Sequence, residues 1–480
     1  MTRYCLPVMA IALLTGCVNL APTYERPVSP VSNNWPTGPA YPAGATSQGE
    51  ASIDWQSFIL DPKLRQLVTL ALNNNRDLRV AALTIEKVQA QYQIEQAALF
   101  PHINATGGDN ASRTPPNVFY QGSPTFFNHY YNVGVGFSAY ELDFFGRISN
   151  LRNDALEQYL STEEARRSTL ISLVAEIAST YLTLAADQGH LALAEDTLKN
   201  QQTAFALDKR RFELGATSQL DLSQAQTAID TARGDVARYT GVVAQDINAL
   251  TLLAGTSIPG DLLPTATLVN ITAIRNLPPG LPSEVLQNRP DVLEAEHKLK
   301  AANADIGVAR AAFFPSITLT ATTGTASDQL SGLFTANARA WSFSPQLNLP
   351  IFDAGNNAAN LKVSEANRNI LLAQYEKAIQ NAFREVADAL ANQGTLHTQI
   401  DAQQSLVDAT ALSFRLADAR FQHGVDSYLT VLDSQRSLYA AQQNLINLKL
   451  ANAANQVTLY KALGGSATTE KGAGAMSSEN

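Results

Sequence analysis

Two kinds of hydrophobic spacing share this chain. Ser316-Ile-Thr-Leu-Thr-Ala-Thr-Thr323 puts Ile317, Leu319 and Ala321 on one face of an extended strand, with Thr318, Thr320 and Thr322 on the other. Trp341, Phe343, Pro345, Leu347 and Leu349 alternate likewise with Ser342, Ser344, Gln346 and Asn348. Tyr131, Val133, Val135, Phe137 and Ala139 alternate with Asn132, Gly134, Gly136 and Ser138. A weaker run sets Ile103, Ala105 and Gly107 against Asn104 and Thr106. Period two predicts four strands, and their polar faces carry no charge. That suits a water-filled barrel with its apolar side toward lipid. A half-buried soluble sheet alternates in the same way, so the strands alone do not decide.

Elsewhere the pattern is helical. Stretches 62–99 and 284–313 are rich in the helix formers Ala, Gln, Glu and Leu. Phe100-Pro101 and Phe314-Pro315 end them, because proline disfavours helix at the residue before it. After Gly146 and Gly355, helical patterns run to positions near 213 and 422, without proline from Arg147 to Leu214 or from Asn356 to His423. About 65 residues of helix measure on the order of 100 Å. Turns at Gly215 and Gly424 break these patterns, and shorter helices run back to positions near 254 and 463. The two shorter helices of a unit, about 36 residues each, together match the long one. Stacked end to end they predict a second rod beside it.

The chain repeats itself. Arg211-Phe-Glu-Leu-Gly215-Ala-Thr-Ser218-Gln-Leu220 recurs as Arg420-Phe-Gln-His-Gly424-Val-Asp-Ser427-Tyr-Leu429, and Ala97 to Pro101 recurs as Ala311 to Pro315. The offset, roughly 210 residues, is far longer than a solenoid period and marks an internal tandem duplication. The expected organisation is a signal peptide (1–16), an extended N-terminal segment behind an anchor (17–61), a first repeat (62–255), an equatorial linker (256–283), a second repeat (284–465) and a disordered tail (466–480). The fold class is mainly α with a small β part.

Charge narrows the partners. A net charge of -9 without a basic run argues against nucleic acid. No stretch near 20 residues beyond the N-terminus reads as apolar enough to cross a membrane as a helix, so a membrane role falls to the strands. About eight strands make the smallest barrel, so four cannot close a pore and spanning requires several copies. Three copies supply twelve strands and a matching ring of rods.

At the N-terminus, Arg3 precedes the apolar run Leu6 to Leu14, and Leu14-Thr15-Gly16-Cys17 reads as a bacterial lipobox. Cleavage before Cys17 would leave that cysteine with S-diacylglycerol and an N-palmitoyl group; the alternative is a plain secretory signal with an incidental cysteine. Cys5 lies in the removed segment, so no disulfide is expected. Val18 rather than Asp follows, which by analogy with lipoprotein sorting favours the outer membrane.

Several segments carry a resemblance. They are Glu141-Leu-Asp-Phe-Phe-Gly-Arg147, Gly280-Leu-Pro-Ser to Asn288-Arg-Pro-Asp291, and Ala309-Arg-Ala-Ala-Phe-Phe-Pro-Ser316. Asn348-Leu-Pro-Ile-Phe352, Gly424 to Asp433 and Leu459-Tyr-Lys-Ala-Leu-Gly-Gly465 continue the series. With Cys17, they resemble the TolC-like outer-membrane factors, within them the OprM-type lipoprotein channels of tripartite multidrug efflux pumps. The resemblance implies a homotrimer, in which long antiparallel helices form an α-barrel continuous with a 12-stranded transmembrane β-barrel. It implies a periplasmic adaptor (membrane fusion) protein and a proton-driven inner-membrane resistance-nodulation-division pump as partners. It also implies location in the cell outer membrane, in contact with its lipid, and export of drugs and other small toxic compounds.

The resemblance assigns roles to the two turns. Gly215, Ala216, Thr217 and Ser218, with Gly424, Val425, Asp426 and Ser427, would be tips docking onto adaptor hairpins; read locally they are simply helix C-caps and restarts. Asp418 would become a ring of three carboxylates on a threefold axis, a periplasmic gate that favours cations. Arg420 and Asp426 would lie near it in the gate, and Asp208 and Arg211 would supply bridging pairs from the first unit. The plain alternative for Asp418 is a solvated helix acid.

Catalysis is not expected. Glu294-Ala-Glu-His297 is one E-x-x-H, where a di-metal bundle site needs two. H-E-x-x-H, P-loop and G-x-S-x-G patterns are absent, so neither metal nor cofactor is expected. Asp291 reads as structural, beside a proline in the first helical turn. The rivals are a lipid-tethered periplasmic coiled-coil scaffold, or the same channel serving metal ions or secreted polypeptides. With 3 Met in all, the chain has no methionine-rich tract to favour metal.

Overall fold

The computed structural model describes residues 18–41, 54–265 and 283–465. Residues 1–17 (the expected signal peptide and Cys17), the centre of the expected linker and the tail after 465 lie outside them. In chain order the elements are α1 (Trp55–Phe58), α2 (Pro62–Asn74), α3 (Arg76–Ala97), β1 (Asn104–Thr114), β2 (Phe126–Leu142), α4 (Arg147–Glu213) and α5 (Gln219–Ala254). Then follow α6 (Pro290–Ala311), β3 (Ser316–Ser327), β4 (Arg339–Asn348), α7 (Asn356–Gln422) and α8 (Tyr428–Ala462). The fold is mostly helical with one small antiparallel sheet, and α4 and α7 have 67 residues each.

The chain divides into two compact units, one of residues 1–28, 84–162 and 294–375, the other of residues 29–83, 163–293 and 376–480. The first unit holds the sheet, in the order β1-β2-β3-β4 with antiparallel neighbours. Its N-terminal segment lies extended against α6, in opposite direction. Val18 N–H donates to the Phe144 carbonyl (3.1 Å), Arg310 to the Leu20 carbonyl (3.2 Å) and Asn303 to the Pro22 carbonyl (2.6 Å). Further along, the Arg26 guanidinium and Tyr24 hydroxyl both donate to Glu296, which is 2 % exposed.

The strands are longer than their clear alternation. β1 runs on to Thr114 and β2 starts at Phe126, because backbone pairing continues through polar positions. The strands therefore include Asp109, Arg113 and His129 on the apolar face, and Glu141, opposite Thr318, corrects the expectation of a wholly uncharged polar face. Alternation along β2 also fails where predicted to continue. Its register with β3 shifts between Phe137 and Tyr140, where Ala139 has φ 54° and donates its N–H to Thr320 Oγ1 at 3.1 Å.

The second unit is helical and buries the middle of α4, including Leu170, Ile171, Val174, Ile177, Tyr181 and Leu184. One 18-residue window of α4 is apolar and long enough to cross a membrane, contrary to the sequence expectation, but 67 % of it is buried inside the protein. It is core.

Two joints organise this unit, and neither was foreseen. The stretch expected to be one helix over 62–99 breaks at Asn75, whose backbone is extended. Its Oδ1 caps the restarted helix by accepting from Leu78 N–H (2.9 Å), and its Nδ2 donates to the Leu253 carbonyl (2.9 Å) at the end of α5. So α5 ends where α3 begins. In the second repeat, α8 ends against the start of α6. Arg289, buried just before α6, donates to the Ala462 carbonyl (2.5 Å), Asp291 (2.7 Å) and Glu385 (2.9 Å). Here the helix starts at Pro290, after a 3-10 stretch over Ser283–Asn288, and not at 284.

Candidate functional site

The two turns of the second unit close by the same backbone device. Gly215 N–H bonds the Phe212 carbonyl (2.9 Å) and Ala216 N–H the Arg211 carbonyl (2.7 Å); Gly424 to Phe421 (2.9 Å) and Val425 to Arg420 (2.9 Å) repeat it. This is the paired bonding of a Schellman cap, which needs its C′ residue left-handed. Both glycines have φ 72°, and a Cβ on either would meet nothing within 4 Å. Backbone conformation, not space, calls for glycine there.

The side chains of the turns differ. After Gly215, Ser218 and Asp221 form a reciprocal capping box, with Thr217 also donating to Asp221 Oδ2 (3.0 Å). These bonds, from Ser218 first, hold the Asp221 carboxyl below its ordinary pKa. After Gly424, Ser427 makes no side-chain cap bond. Arg420 instead grips Asp426 with two parallel bonds, Nε to Oδ2 (2.6 Å) and Nη2 to Oδ1 (2.9 Å).

Behind the turns, Ala225, Ala417, Tyr428, Val431 and Leu432 form a buried cluster, with Phe205, Phe414 and Phe421 packed on it. Asp208 is buried here (2 % exposed), with Oδ1 3.7 Å from Arg211 and Oδ2 unpartnered. Burial raises its pKa, and Arg211 opposes the rise. Arg211 also lies over the Phe421 ring, 5.0 Å from its centroid. Asp418 is half-buried and accepts from Gln422 Nε2 at 2.7 Å. Burial first, then Asp208, Asp418 and Asp221, push the Tyr428 hydroxyl up to about 12. Of the gate candidates, Asp208 and Asp418 thus gather near Tyr428, Arg211 reaches Asp208, and Arg420 and Asp426 pair with each other. The sequence reading passed over the large apolar side chains left bare at the turns: Leu214 (84 % exposed), Leu220 (66 %) and Val425 (61 %). Apolar residues flanking a Gly turn were the available signal.

The E-x-x-H motif dissolves into packing. His297 Nδ1 lies 2.6 Å from Glu157, Glu294 pairs with Lys298, and Glu296 holds Arg26. No group of three or more metal-ligating side chains exists among the described residues. Asp291 sits in the first turn of α6 and bonds Arg289, two positions earlier in the same motif, whose role was not legible from the sequence.

The sheet has two chemically distinct faces. Register sets Ile317 opposite Leu347, Leu319 opposite Pro345 and Ala321 opposite Phe343, while Thr318, Thr320 and Thr322 face Gln346, Ser344 and Ser342. The apolar side is bare, with Trp341 80 % and Leu347 62 % exposed. β1 and β4 have one neighbour each, so the sheet ends in two open edges.

Residues 67–256 and 281–465 match the outer membrane efflux protein family, one match over each repeat. The chain belongs to that family. It is an outer-membrane efflux channel. It is 48 % identical over 466 residues to the probable efflux pump outer membrane protein TtgC of Pseudomonas putida, covering 97 % of this chain and 96 % of the relative. A membrane protein from Pseudomonas aeruginosa has a solved structure that is 42 % identical, with a TM-score of 0.87, over 93 % of this chain and 97 % of that one. The open-state MtrE outer membrane channel of Neisseria gonorrhoeae is 35 % identical, with a TM-score of 0.84, over 93 % and 98 %. For an efflux channel the two faces gain a direction: the apolar one meets lipid and the threonine- and serine-lined one meets water. The scaffold that never spans a membrane is thereby set aside.

Proposed function

We propose that three copies of this chain assemble into the exit duct of a tripartite efflux system, passing drugs and other small toxic compounds through the outer membrane. The observation that carries it is the open four-stranded sheet with one apolar and one polar, mostly uncharged face. Such a sheet leaves two edges unpaired, and closing them with further copies gives every edge a partner, as a membrane barrel requires. A periplasmic adaptor docks on the Gly215 and Gly424 turns, where Leu214, Leu220 and Val425 offer exposed apolar contact. An inner-membrane resistance-nodulation-division pump supplies the energy, and this protein, not an enzyme, is a passive conduit. Asp418, with Asp208 behind it, narrows the periplasmic end. Cys17 carries the lipid, which assists insertion while the barrel holds the protein in place.

The test is a deletion strain complemented with the wild type or with a Leu214→Asp, Val425→Asp variant. Susceptibility to unrelated drugs, to metal salts and secretion of polypeptides are read in parallel. Restored drug resistance by the wild type alone, with both proteins in the membrane, supports the reading. Sensitivity confined to metal salts, or a defect confined to secretion, overturns the assigned cargo.

A further inference from the structure

The lipid-facing side of the sheet carries charge at one end only. Arg113 on β1 lies opposite Phe127 on β2, and its guanidinium covers that ring at 5.8 Å. Two and four residues along β2 on the same face come His129 and Tyr131, their rings stacked at 5.7 Å. Val133 follows, opposite Thr325, which is opposite Arg339 at the start of β4. Trp341 is next on that face, beyond which Phe343 and Leu347 continue without charge.

Arg113 and Arg339 belong to one rim. Pairing of β1 with β2 spans Phe126 to Gly136, whereas pairing of β2 with β3 spans Tyr131 to Leu142. The displacement has the same sense and similar size at both ends, as tilted barrel strands show. Arg113, beside the end of β1, and Arg339, opening β4, therefore lie at matching heights. All four strands join their helices at the opposite end; with those helices on the periplasmic side, as in the proposed function, this rim is the one toward the cell surface.

Its charges are unevenly matched. Asp109 is paired with His129 at 3.1 Å. Neither Arg113 nor Arg339 has a carboxylate within ion-pair distance among the described residues, and Asp328 lies in the turn beyond the strands. Arginine on the lipid side of a barrel is tolerated near the interface, where aromatic side chains also collect. Its planar fork suits phosphate oxygens.

We propose that Arg113 and Arg339, framed by Phe127, Tyr131 and Trp341, bind the phosphates of a phosphorylated glycolipid in the surface-facing leaflet. The inference rests on the outer-membrane placement of the sheet and assigns it a lipid partner. The glycolipid stands against the rim with its acyl chains along Phe343 and Leu347, and its phosphates supply the anions that the protein withholds.

The test titrates the detergent-purified full-length protein with bisphosphorylated lipid A, dephosphorylated lipid A and phosphatidylglycerol, counting bound lipid by native mass spectrometry. Bisphosphorylated lipid A binds about tenfold more tightly than the dephosphorylated form. Arg113→Gln with Arg339→Gln abolishes that preference, and the paired Lys replacements retain part of it. Equal binding of the dephosphorylated form, an unchanged preference in the Gln variant, or phosphatidylglycerol binding as tightly as lipid A overturns the proposal. If the double variant does not assemble, each single Gln replacement is read in the same way. Retention of the wild type in carbonate-washed membranes is scored separately, so failure of the lipid site is distinguished from failure of the membrane reading.

Discussion

Gly255, with φ 69°, sits so close to Asn74 that a Cβ on it would overlap the Asn74 carbonyl oxygen. The contact lets the end of α5 meet the break between α2 and α3, where Asn75 bonds Leu253. One helix thereby stops where another starts. The turn glycines share its left-handed backbone but not its crowding.

That contrast predicts opposite severities for one kind of change. Gly215→Ala and Gly424→Ala meet only the backbone penalty, about 1 kcal/mol each. Their effect is faster amide exchange confined to the turns, with assembly retained. Gly255→Ala adds a backbone clash and is expected to abolish recovery of assembled protein from membranes. Equal behaviour of the three variants would refute the distinction.

The bidentate Arg420–Asp426 pair sits at an exposed turn and closes it without a side-chain cap. Asp426→Asn should leave thermal unfolding unchanged and raise the open probability of single channels in planar bilayers several-fold. The Arg420 hydrogen bond, first, holds the Asp426 carboxyl below its ordinary pKa. The pair therefore persists at neutral pH and is lost only as pH falls through that lowered value. Channel opening between pH 7 and 6 that vanishes in the Asn variant would contradict this.

Glu296 anchors the N-terminal segment through Arg26 and Tyr24, with Lys300 at 3.3 Å. Burial pushes its pKa up, but Arg26 and Lys300 outweigh it and leave the carboxyl below its ordinary value of 4.5. The clamp is intact above that value and weakens as pH falls through the lower folded one. Glu296→Gln is expected to cost about 1 kcal/mol, since Arg26 is partly solvated. It should also expose the segment before α1 to protease at neutral pH. Unchanged cleavage kinetics would rule the clamp out.

Two other carboxylates work in the opposite sense. Burial first, then Asp305, pushes Asp154 up to about 6, and burial with the neighbouring Asp187 raises Asp246. Raised acids favour the protonated fold, so their contribution to stability increases as pH falls from 7 toward 5. The melting temperature should rise by about 2 °C over that interval. Asp154→Asn and Asp246→Asn should each flatten the slope and raise stability at pH 7.

Sequence alone determined the duplication, the two proline-free 67-residue helices, the Gly turns and the period-two strands. Each is written in local chemistry: proline spacing, left-handed glycine, side-chain alternation. Tertiary structure decided what depends on a distant partner. Asn75 lies within a strong helical pattern, and only the Leu253 carbonyl, 178 positions away, makes it a joint. Glu296 is an intervening position of the Glu294–His297 stretch with no role legible in the sequence, and only Arg26, 270 positions away, gives it one. Arg113 and Arg339 come into one rim only through strand register, because a pairing offset is a property of two strands together. Short-range preferences are legible along a chain, whereas a buried polar group's meaning lies in whichever group satisfies it.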